Sequence, residues 1–517
     1  MSPRSPEPGG ERAPLADTIA AVALALAVAL VLYAAQGLRG TDQYWYVADV
    51  ETIAAGRPAL SNTWFPMGLL REPAGDYTAP VYHNGPLLHL VAAVHRVLPV
   101  SAYAAWIGFN LAGLIVTVLV VRAWLRRRAN ATVAGWVAAC AALSPIGVWQ
   151  AANVLRETWF GALSALALAL FFLADTPRRS PVAGIVPAVL LALVLCIGAL
   201  AHPMFLILLV LLGGVRTLDA VRERSLGRLA QLLPVIAALA TVALFKDDWF
   251  PSSFQPDLAS IIVSAIPGGT NMAWHFADVQ ATLDPAFLWS KLLDAAERQF
   301  AVPSLWPIYL QTNAALLAWV ALAVAHLRTP RRDVPELRPL LVLGAFLGLY
   351  AAIVVLQQNH MRFQQLVAPA AFILIGHALH AWVPQRLLAV LMVPVLLGSG
   401  AVAAAMAHRL HDEALSERID RATVASTFEG VAADDRVLFV DIDRHDPLSF
   451  VLRPTPALFI RPSLISDEAA RRAIARFGPT LLVTDGAPPP YGLDGFVPVA
   501  DSDTGSFGGL IVHGRRE

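Results

Sequence analysis

Apolar segments long enough to cross a lipid bilayer recur along most of this chain, from residue 16 to residue 407. A helix needs roughly 20 mostly apolar residues to span the hydrocarbon core of a membrane. Hydrophobic residues make up 57% of the 517 residues and charged residues only 15%, whereas soluble domains carry about 25% charged residues. The chain is therefore predicted to be a polytopic α-helical membrane protein. Its formal net charge of zero gives no case for a nucleic acid partner.

The apolar segments predict about eleven transmembrane helices. The first of them lacks a small-residue cleavage site, so we expect it to be retained as an anchor. The segments on either side of Ala201-His202-Pro203 form either a tight hairpin or a re-entrant loop. The predicted spans are 16–37, 101–121, 131–149, 157–174, 182–200, 203–215, 229–246, 309–327, 339–356, 364–382 and 387–407.

Arginine residues are concentrated in alternate connections between the predicted spans. Because basic residues favour cytoplasmic loops, these connections are predicted to be cytoplasmic. Residues 1–15 then form a cytoplasmic tail, the loops 38–100 and 247–308 face outward, and an odd number of spans places 408–517 outside as well. We expect a multi-pass protein of a cell membrane, specifically a bacterial plasma membrane. The arginines include Arg126, Arg127, Arg128, Arg178, Arg179, Arg216, Arg222 and Arg224.

The region 408–517 has a different pattern from the rest of the chain. Residues 436–441 and 480–484 are predicted to be short buried strands, and residues 467–477 have the apolar spacing of a helix. This pattern predicts a small α/β domain outside the membrane. The region lacks a Gly-rich phosphate loop and a nucleophile motif, and the acidic residues from Asp441 to Asp446 are better explained by a solvated loop than by a metal site.

The first outer loop opens with Asp42-Gln43-Tyr44-Trp45-Tyr46, directly after the first span. A carboxylate among aromatic rings that favour the water–membrane boundary suits chemistry on a lipid-linked substrate. An ordinary aromatic belt with solvated acids explains the rings, but it explains Asp42 less well. Residues 43–55 are predicted to form a helix in the interface plane, with its acids towards water and with Asp42 and Asp49 two turns apart on one face.

Two further segments place charged groups at the outer ends of predicted spans. Arg156 and Glu157 lie at the outer ends of the third and fourth spans, and Glu157 begins the fourth. Glu157 is either a helix cap or an acid that holds an acceptor hydroxyl or, together with Asp42, a divalent cation. Arg362 precedes the tenth span, against the trend of basic residues on the inside. It is either a phosphate-binding group or a side chain that reaches lipid headgroups.

Taken in this order, the motifs resemble those of the GT-C glycosyltransferases. The closest resemblance is to the branch that contains the protein O-mannosyltransferases and the lipid A aminoarabinose transferase. It covers about residues 16–410. The chain has Asp42-Gln43 where the family commonly has Asp-Glu, and His83-Asn84-Gly85-Pro86 replaces the more usual double proline. The matching segments are Asp42–Tyr46, Tyr82–Leu87, Arg156–Trp159 and Arg362–Pro369.

The resemblance implies a membrane glycosyltransferase that moves a hexosyl or pentosyl group from a polyprenyl-phosphate donor. The implied acceptor is extracytoplasmic: a cell-wall glycan, a glycolipid or a protein. Asp42 and Glu157 are the implied catalytic residues; Asp42 orients or deprotonates the acceptor hydroxyl, and Glu157 is a second polar anchor. Arg362 is implied as the contact to the donor phosphate. No metal ligand is assigned, and a divalent cation stays open. Further substrate-binding candidates are Tyr44, Asp49, Arg71, His83 and Arg156.

Two other classes of protein compete with this interpretation. One is a lipid-linked sugar flippase or another transporter, and the other is a scaffold that binds a wall partner through residues 408–517. Carriers usually place ionisable residues at mid-membrane and contain paired broken helices. Here the charged candidates collect at the outer face instead, which favours an enzyme. The sugar, the acceptor, the stereochemical outcome and the oligomeric state stay open.

Overall fold

The computed structural model of this chain describes most of residues 12–416 and several shorter segments that follow them. Within these segments, the side chains of Asp42, Arg71 and Arg362 lie outside the described part. The described residues are 12–57, 63–64, 66–71, 85–155, 157–174, 181–201, 205–224, 230–249, 285–286, 289–290, 293, 296–297, 306–328, 337–356, 361–416, 428, 431–432, 434–440, 455–484, 491, 493, 496–498 and 511–515.

Helices make up the part of the chain in which spans are predicted. A 3-10 helix, Met361–Leu366, directly precedes the helix Ala368–Trp382. The predicted span at 131–149 is divided between two helices, Ala131–Ala142 and Pro145–Ala151. The helix Gln385–Ser416 continues past the predicted end of the last span. The helices are α1 Arg12–Ala34, α2 Gly40–Ala54, α3 Pro66–Arg71, α4 Pro86–Val97, α5 Ala102–Arg128, α6 Ala131–Ala142, α7 Pro145–Ala151, α8 Glu157–Ala174, α9 Pro181–Ala201, α10 Leu206–Glu223, α11 Leu233–Trp249, α12 Trp306–Arg328, α13 Leu337–Leu356, α14 Ala368–Trp382 and α15 Gln385–Ser416.

Among the described residues, four helices are long and apolar enough to cross a membrane: α1, α5, α12 and α15. A fifth is obtained if the pair α6 and α7, which meet at an angle of 51°, is one broken span. The break falls before Pro145, which lacks the backbone N–H needed to continue the α6 hydrogen-bond ladder. The protein is thus a multi-pass helical membrane protein.

Small residues let α1 and α6 approach closely, as is common between membrane helices. A Cβ atom added at Gly135 of α6 would lie 2.6 Å from the backbone carbonyl carbon of Ala16 in α1. Alanines at spacings of three and four residues continue this buried face along α1. They are Ala16, Ala20, Ala23 and Ala27.

Adding one methyl group at Gly135 is expected to destabilise the membrane domain by about 1–3 kcal/mol, the usual cost of overpacking. The Gly135→Ala variant forces α1 and α6 apart, because the nearest atoms of Ala16 include backbone atoms that cannot rotate away. The matched control is Gly108→Ala, in α5, where an added Cβ meets nothing within 4 Å. The midpoint of thermal unfolding in detergent should fall for the first variant only. Equal midpoints for the two variants would contradict the close approach of α1 and α6.

Short strands from the carboxyl-terminal region form a six-stranded sheet with one strand from the first long loop. The sheet order is β1-β3-β2-β4-β6-β5. The first four strands in this order are parallel, and β6 runs antiparallel to both of its neighbours. Helix α16, Asp467–Phe477, connects β3 to β4. The strands are β1 Thr63–Trp64, β2 Val437–Val440, β3 Ala457–Ile460, β4 Leu481–Thr484, β5 Phe496–Pro498 and β6 Ile511–Arg515.

The first long loop is built into this sheet region. Thr63 pairs with Ala457, and Trp64 pairs with Leu458, so β1 is a sheet edge next to β3. Helix α3 packs on α16, where Arg476 Nη1 donates a hydrogen bond to the Leu70 carbonyl oxygen at 3.2 Å. Strand β1 and helix α3 of the first long loop are therefore joined directly to the carboxyl-terminal strand β3 and helix α16.

Candidate active site between helix α2 and helix α8

Helix α2 is buried on two opposite faces. Tyr46, Val47 and Val50 belong to the hydrophobic core of the membrane helices. Trp45, on the other face, belongs to the hydrophobic core of the sheet region, together with residues such as Phe459. Residues three, four and seven positions apart share one face of a helix. Position 42 therefore lies between these two faces, three residues from Trp45 and four from Tyr46, whereas Gln43 shares the face of Tyr46, Val47 and Val50.

The helix predicted over residues 43–55 is present, but its acids do not all face water. Asp49 is only 2% exposed, and Tyr44 and Trp45 are also buried. The expectation that Asp49 faces water is therefore wrong. The physical reason is tertiary packing: Trp45 packs into the hydrophobic core of the sheet region, and helix α4 packs against α2.

A buried hydrogen bond joins α2 to the segment that leads into α8. Gln43 Nε2 donates to Asn153 Oδ1 at 2.6 Å, and both side chains are buried. Asn153 is held in turn, because its Nδ2 donates to the Trp149 carbonyl oxygen at 2.5 Å and its own carbonyl oxygen accepts from Asn110 Nδ2 at 2.7 Å. Gln43 and Asn153 are 110 residues apart in the chain. This bond therefore connects α2 to α5 and α7.

Arg39, the residue directly before α2, supports the same junction. Its backbone N–H donates to Gln43 Oε1 at 3.4 Å. Its guanidinium donates to the carbonyl oxygen of Ala152 at 2.8 Å and to the carbonyl oxygen of Leu410 in α15. A guanidinium has five N–H donors in a fixed planar arrangement, which lets one side chain reach two backbone segments. The start of α2 is therefore tied to α7 and α15.

Glu157 is the first residue of α8 and is 1% exposed. A carboxylate at this position is stabilised by the partial positive charge of the helix amino terminus. Asn153, which accepts the hydrogen bond from Gln43, precedes Glu157 by four residues in the chain. Trp159 Nε1 donates to the Phe109 carbonyl oxygen at 2.9 Å, which fixes the first turn of α8 against α5.

The 3-10 helix that contains Arg362 packs beside the same first turns of α8. Ser164 Oγ donates to the Leu366 carbonyl oxygen at 2.7 Å. A Cβ atom added at Gly161 would lie 3.0 Å from Gln365 Cγ, so the glycine allows the two helices to approach closely. Because residues four apart share a helix face, Gly161 lies one turn from Glu157 on that face.

The elements that carry Asp42, Glu157 and Arg362 therefore converge around the start of α8. Glu157 is the one of these three whose side chain is described. Arg71 ends α3, which packs on the sheet region. Two further candidates, His83 and Arg156, lie outside the described residues. Tyr44 and Asp49 lie buried in α2.

Three polar residues that organise this region were given no role from the sequence. Arg39 carried a usable signal, because it is a basic residue on the predicted outer side, as Arg362 is. Asn110 and Asn153 carried little signal, since a single amide within or after an apolar run does not indicate its partner. Their roles depend on contacts between distant segments.

In the part of the chain that the structure describes, no group of three or more His, Cys, Asp or Glu residues is placed to hold a metal ion. The acidic segment from Asp441 to Asp446 lies outside this part. The described geometry therefore does not assign a cation site.

This arrangement of helices, with a long first loop joined to a carboxyl-terminal region, is similar to the folds of a solved ArnT structure and a solved archaeal oligosaccharyltransferase structure. The solved structure of ArnT from Cupriavidus metallidurans aligns with a TM-score of 0.53 and 16% sequence identity, over 96% of this chain and 97% of that one. The ArnT structure bound to undecaprenyl phosphate aligns equally well, with 15% identity.

An oligosaccharyltransferase from Archaeoglobus fulgidus, in a complex with Zn and sulfate, aligns with a TM-score of 0.56 and 13% identity. That alignment covers 90% of this chain and 68% of the archaeal one. No protein-family model and no curated protein sequence matches the chain. The likeness at these identities is one of fold.

Proposed function

We propose that this protein is a membrane glycosyltransferase that moves a sugar from a polyprenyl-phosphate donor to an extracytoplasmic acceptor. The observation that carries the proposal is the convergence of α2 and the 3-10 helix around the start of α8, through the Gln43–Asn153 and Ser164–Leu366 hydrogen bonds. The undecaprenyl phosphate in the ArnT structure of the same fold supports a lipid-linked donor. The acceptor is a cell-wall glycan, a glycolipid or a protein.

In the proposed reaction, the acceptor oxygen attacks the anomeric carbon of the donor sugar. The bond between that carbon and the phosphate oxygen breaks, and its electron pair stays on the polyprenyl phosphate. The proton of the acceptor hydroxyl passes to the Asp42 carboxylate, which acts as general base. The guanidinium of Arg362 stabilises the negative charge that grows on the leaving phosphate. Glu157, buried at the start of α8, holds the acceptor through a hydrogen bond.

The remaining candidates are proposed to bind substrate around these groups. Position 49 shares a face of α2 with position 42, so Asp49 is proposed to border the same crevice, and Tyr44 contributes to its wall. Arg71, His83 and Arg156 are proposed as further donor or acceptor contacts. A divalent cation stays compatible with the proposal, and Zn is present in the archaeal oligosaccharyltransferase structure.

The proposed topology has eleven spans, a cytoplasmic tail at residues 1–15, outer loops at 38–100 and 247–308, and an outer α/β domain at 408–517. Pairing of β1 with β3 supports one part of it, because it requires the first loop and the carboxyl-terminal region to share a side. The positive-inside distribution of arginine supports that side being the outer one.

The proposal is tested by following the lipid product in vesicles. Purified protein is reconstituted with a panel of glycosyl polyprenyl phosphates and an envelope extract as the source of acceptors. A transferase is expected to release free polyprenyl phosphate from at least one donor, and only when the acceptor extract is present. Mass spectrometry of the extracted lipids measures this release.

A lipid-linked sugar flippase would give a different result in the same vesicles. The donor would become accessible to periodate on the opposite leaflet, and no free polyprenyl phosphate would form. That outcome would replace the proposed function with transport.

A further inference from the structure

Gln43 is the residue at which the chain departs from the Asp-Glu pair common in the family it resembles, and the structure gives that amide a partner. It is buried on the face of α2 that packs against the membrane helices, and its Nε2 lies 2.6 Å from Asn153 Oδ1. A buried amide that lacks a hydrogen-bond partner is costly. An amide that has one, across 110 residues of chain, constrains both segments.

The orientation of both amides is determined by their other hydrogen bonds. Asn153 Nδ2 donates to the Trp149 carbonyl oxygen, so its Oδ1 points at Gln43. Gln43 Oε1 accepts from the backbone N–H of Arg39, so its Nε2 points at Asn153. Neither amide can turn over without placing two acceptors or two donors against each other. The contact at residue 43 therefore requires a donor.

We propose that Gln43 is a positioning residue that sets Asp42 relative to Glu157. The inference rests on the proposed function, in which those two carboxylates act on the acceptor. Gln43 follows Asp42 directly in α2, and Asn153 precedes Glu157 by four residues, so one hydrogen bond fixes the rotation of α2 against the start of α8. This assigns a reason for the amide: a carboxylate at residue 43 would face Asn153 Oδ1 with no proton to donate, and would push the two segments apart.

The test compares three variants by two measurements. Gln43→Glu exchanges the amide nitrogen for oxygen and keeps the shape of the side chain, and Gln43→Ala removes the side chain beyond Cβ. The matched control is Gln36→Glu, the same exchange at an exposed residue whose Nε2 donates to carbonyl oxygens at the end of α1. Amide hydrogen exchange over α2 measures the constraint, and the kcat and KM of polyprenyl phosphate release measure its consequence.

Gln43→Glu is expected to raise exchange over α2 about tenfold and to lower kcat at least as much, with little change in the KM for the donor, because the change affects how Asp42 is held. Gln43→Ala should have a smaller effect than Gln43→Glu, although it removes more atoms, since it introduces no repulsion. A role in simple packing would give the opposite order. Gln36→Glu should match the wild type in both measurements.

Unchanged exchange over α2 in Gln43→Glu would overturn the inference, whatever the activity. A greater loss for Gln43→Ala than for Gln43→Glu would also overturn it. Failure of the proposed function is a separate result: the wild type would release no polyprenyl phosphate from any donor. In that case the exchange comparison still decides whether Gln43 holds α2 against the start of α8.

Discussion

The Asp42→Asn variant is expected to lower the rate of sugar transfer by about 10³-fold, within the range by which general bases contribute to enzymatic rates. Asparagine keeps the size of the side chain but cannot take the proton of the acceptor hydroxyl. Release of free polyprenyl phosphate from the donor that the wild type consumes measures the rate. The fall should appear in kcat, because an interaction made with the reacting proton contributes in the transition state.

Glu51→Gln provides the matched control for this variant. Glu51 is exposed and lies on the same helix as Asp42, so its neutralisation changes the charge of α2 by the same amount. It should transfer sugar at the wild-type rate. Transfer by Asp42→Asn that stays within about twofold of wild type would remove Asp42 from the chemistry, and an equal loss in Glu51→Gln would assign the effect to the charge of the helix.

The helices could be predicted closely from the sequence because apolar runs and their breaks are local signals. The predicted span at 157–174 coincides with α8, which begins at Glu157. The bend between α6 and α7 was missed, although Pro145 is a local signal for it. Of the described helices, four meet the length and hydropathy required to cross the membrane, and the bent pair α6 and α7 together makes a fifth.

The environment of the candidate site could be predicted less well, because it is made by contacts between distant segments. A helix over residues 43–55 was predicted correctly, but the sequence could not indicate that Asp49 would be buried or that Trp45 would pack into the core of the sheet region. Strand β1 has two residues, which is too short for an alternating pattern to be recognised. Gln43 looked like a departure from a motif until its partner Asn153 was known.

Trp45→Ala is expected to loosen the sheet region without loosening the membrane helices. The Trp45 side chain is 3% exposed and belongs to the core of the sheet region, whereas its neighbours Tyr46 and Val47 belong to the other core. Removing a buried tryptophan side chain usually costs about 3–5 kcal/mol. Since each 1.4 kcal/mol is about tenfold in an equilibrium, amide exchange over β2 and β4 should rise by about 100-fold or more. Mass spectrometry of peptides covering these strands measures it.

Exchange over α6 distinguishes a local effect from general unfolding. Exchange over α6 should not change in Trp45→Ala, because the Gln43–Asn153 bond remains and α2 still packs against the membrane helices.

The control is Trp382→Ala, at the end of α14. This side chain is 43% exposed, so its removal takes no buried tryptophan from a hydrophobic core. Sugar transfer should fall with the loosening of the sheet region, since Trp45, which packs into that region, lies one turn from position 42. If β2 and β4 exchange as in the wild type, Trp45 does not hold the sheet region on α2. If α6 loosens equally, the two cores unfold as one unit and α2 is not a boundary between them.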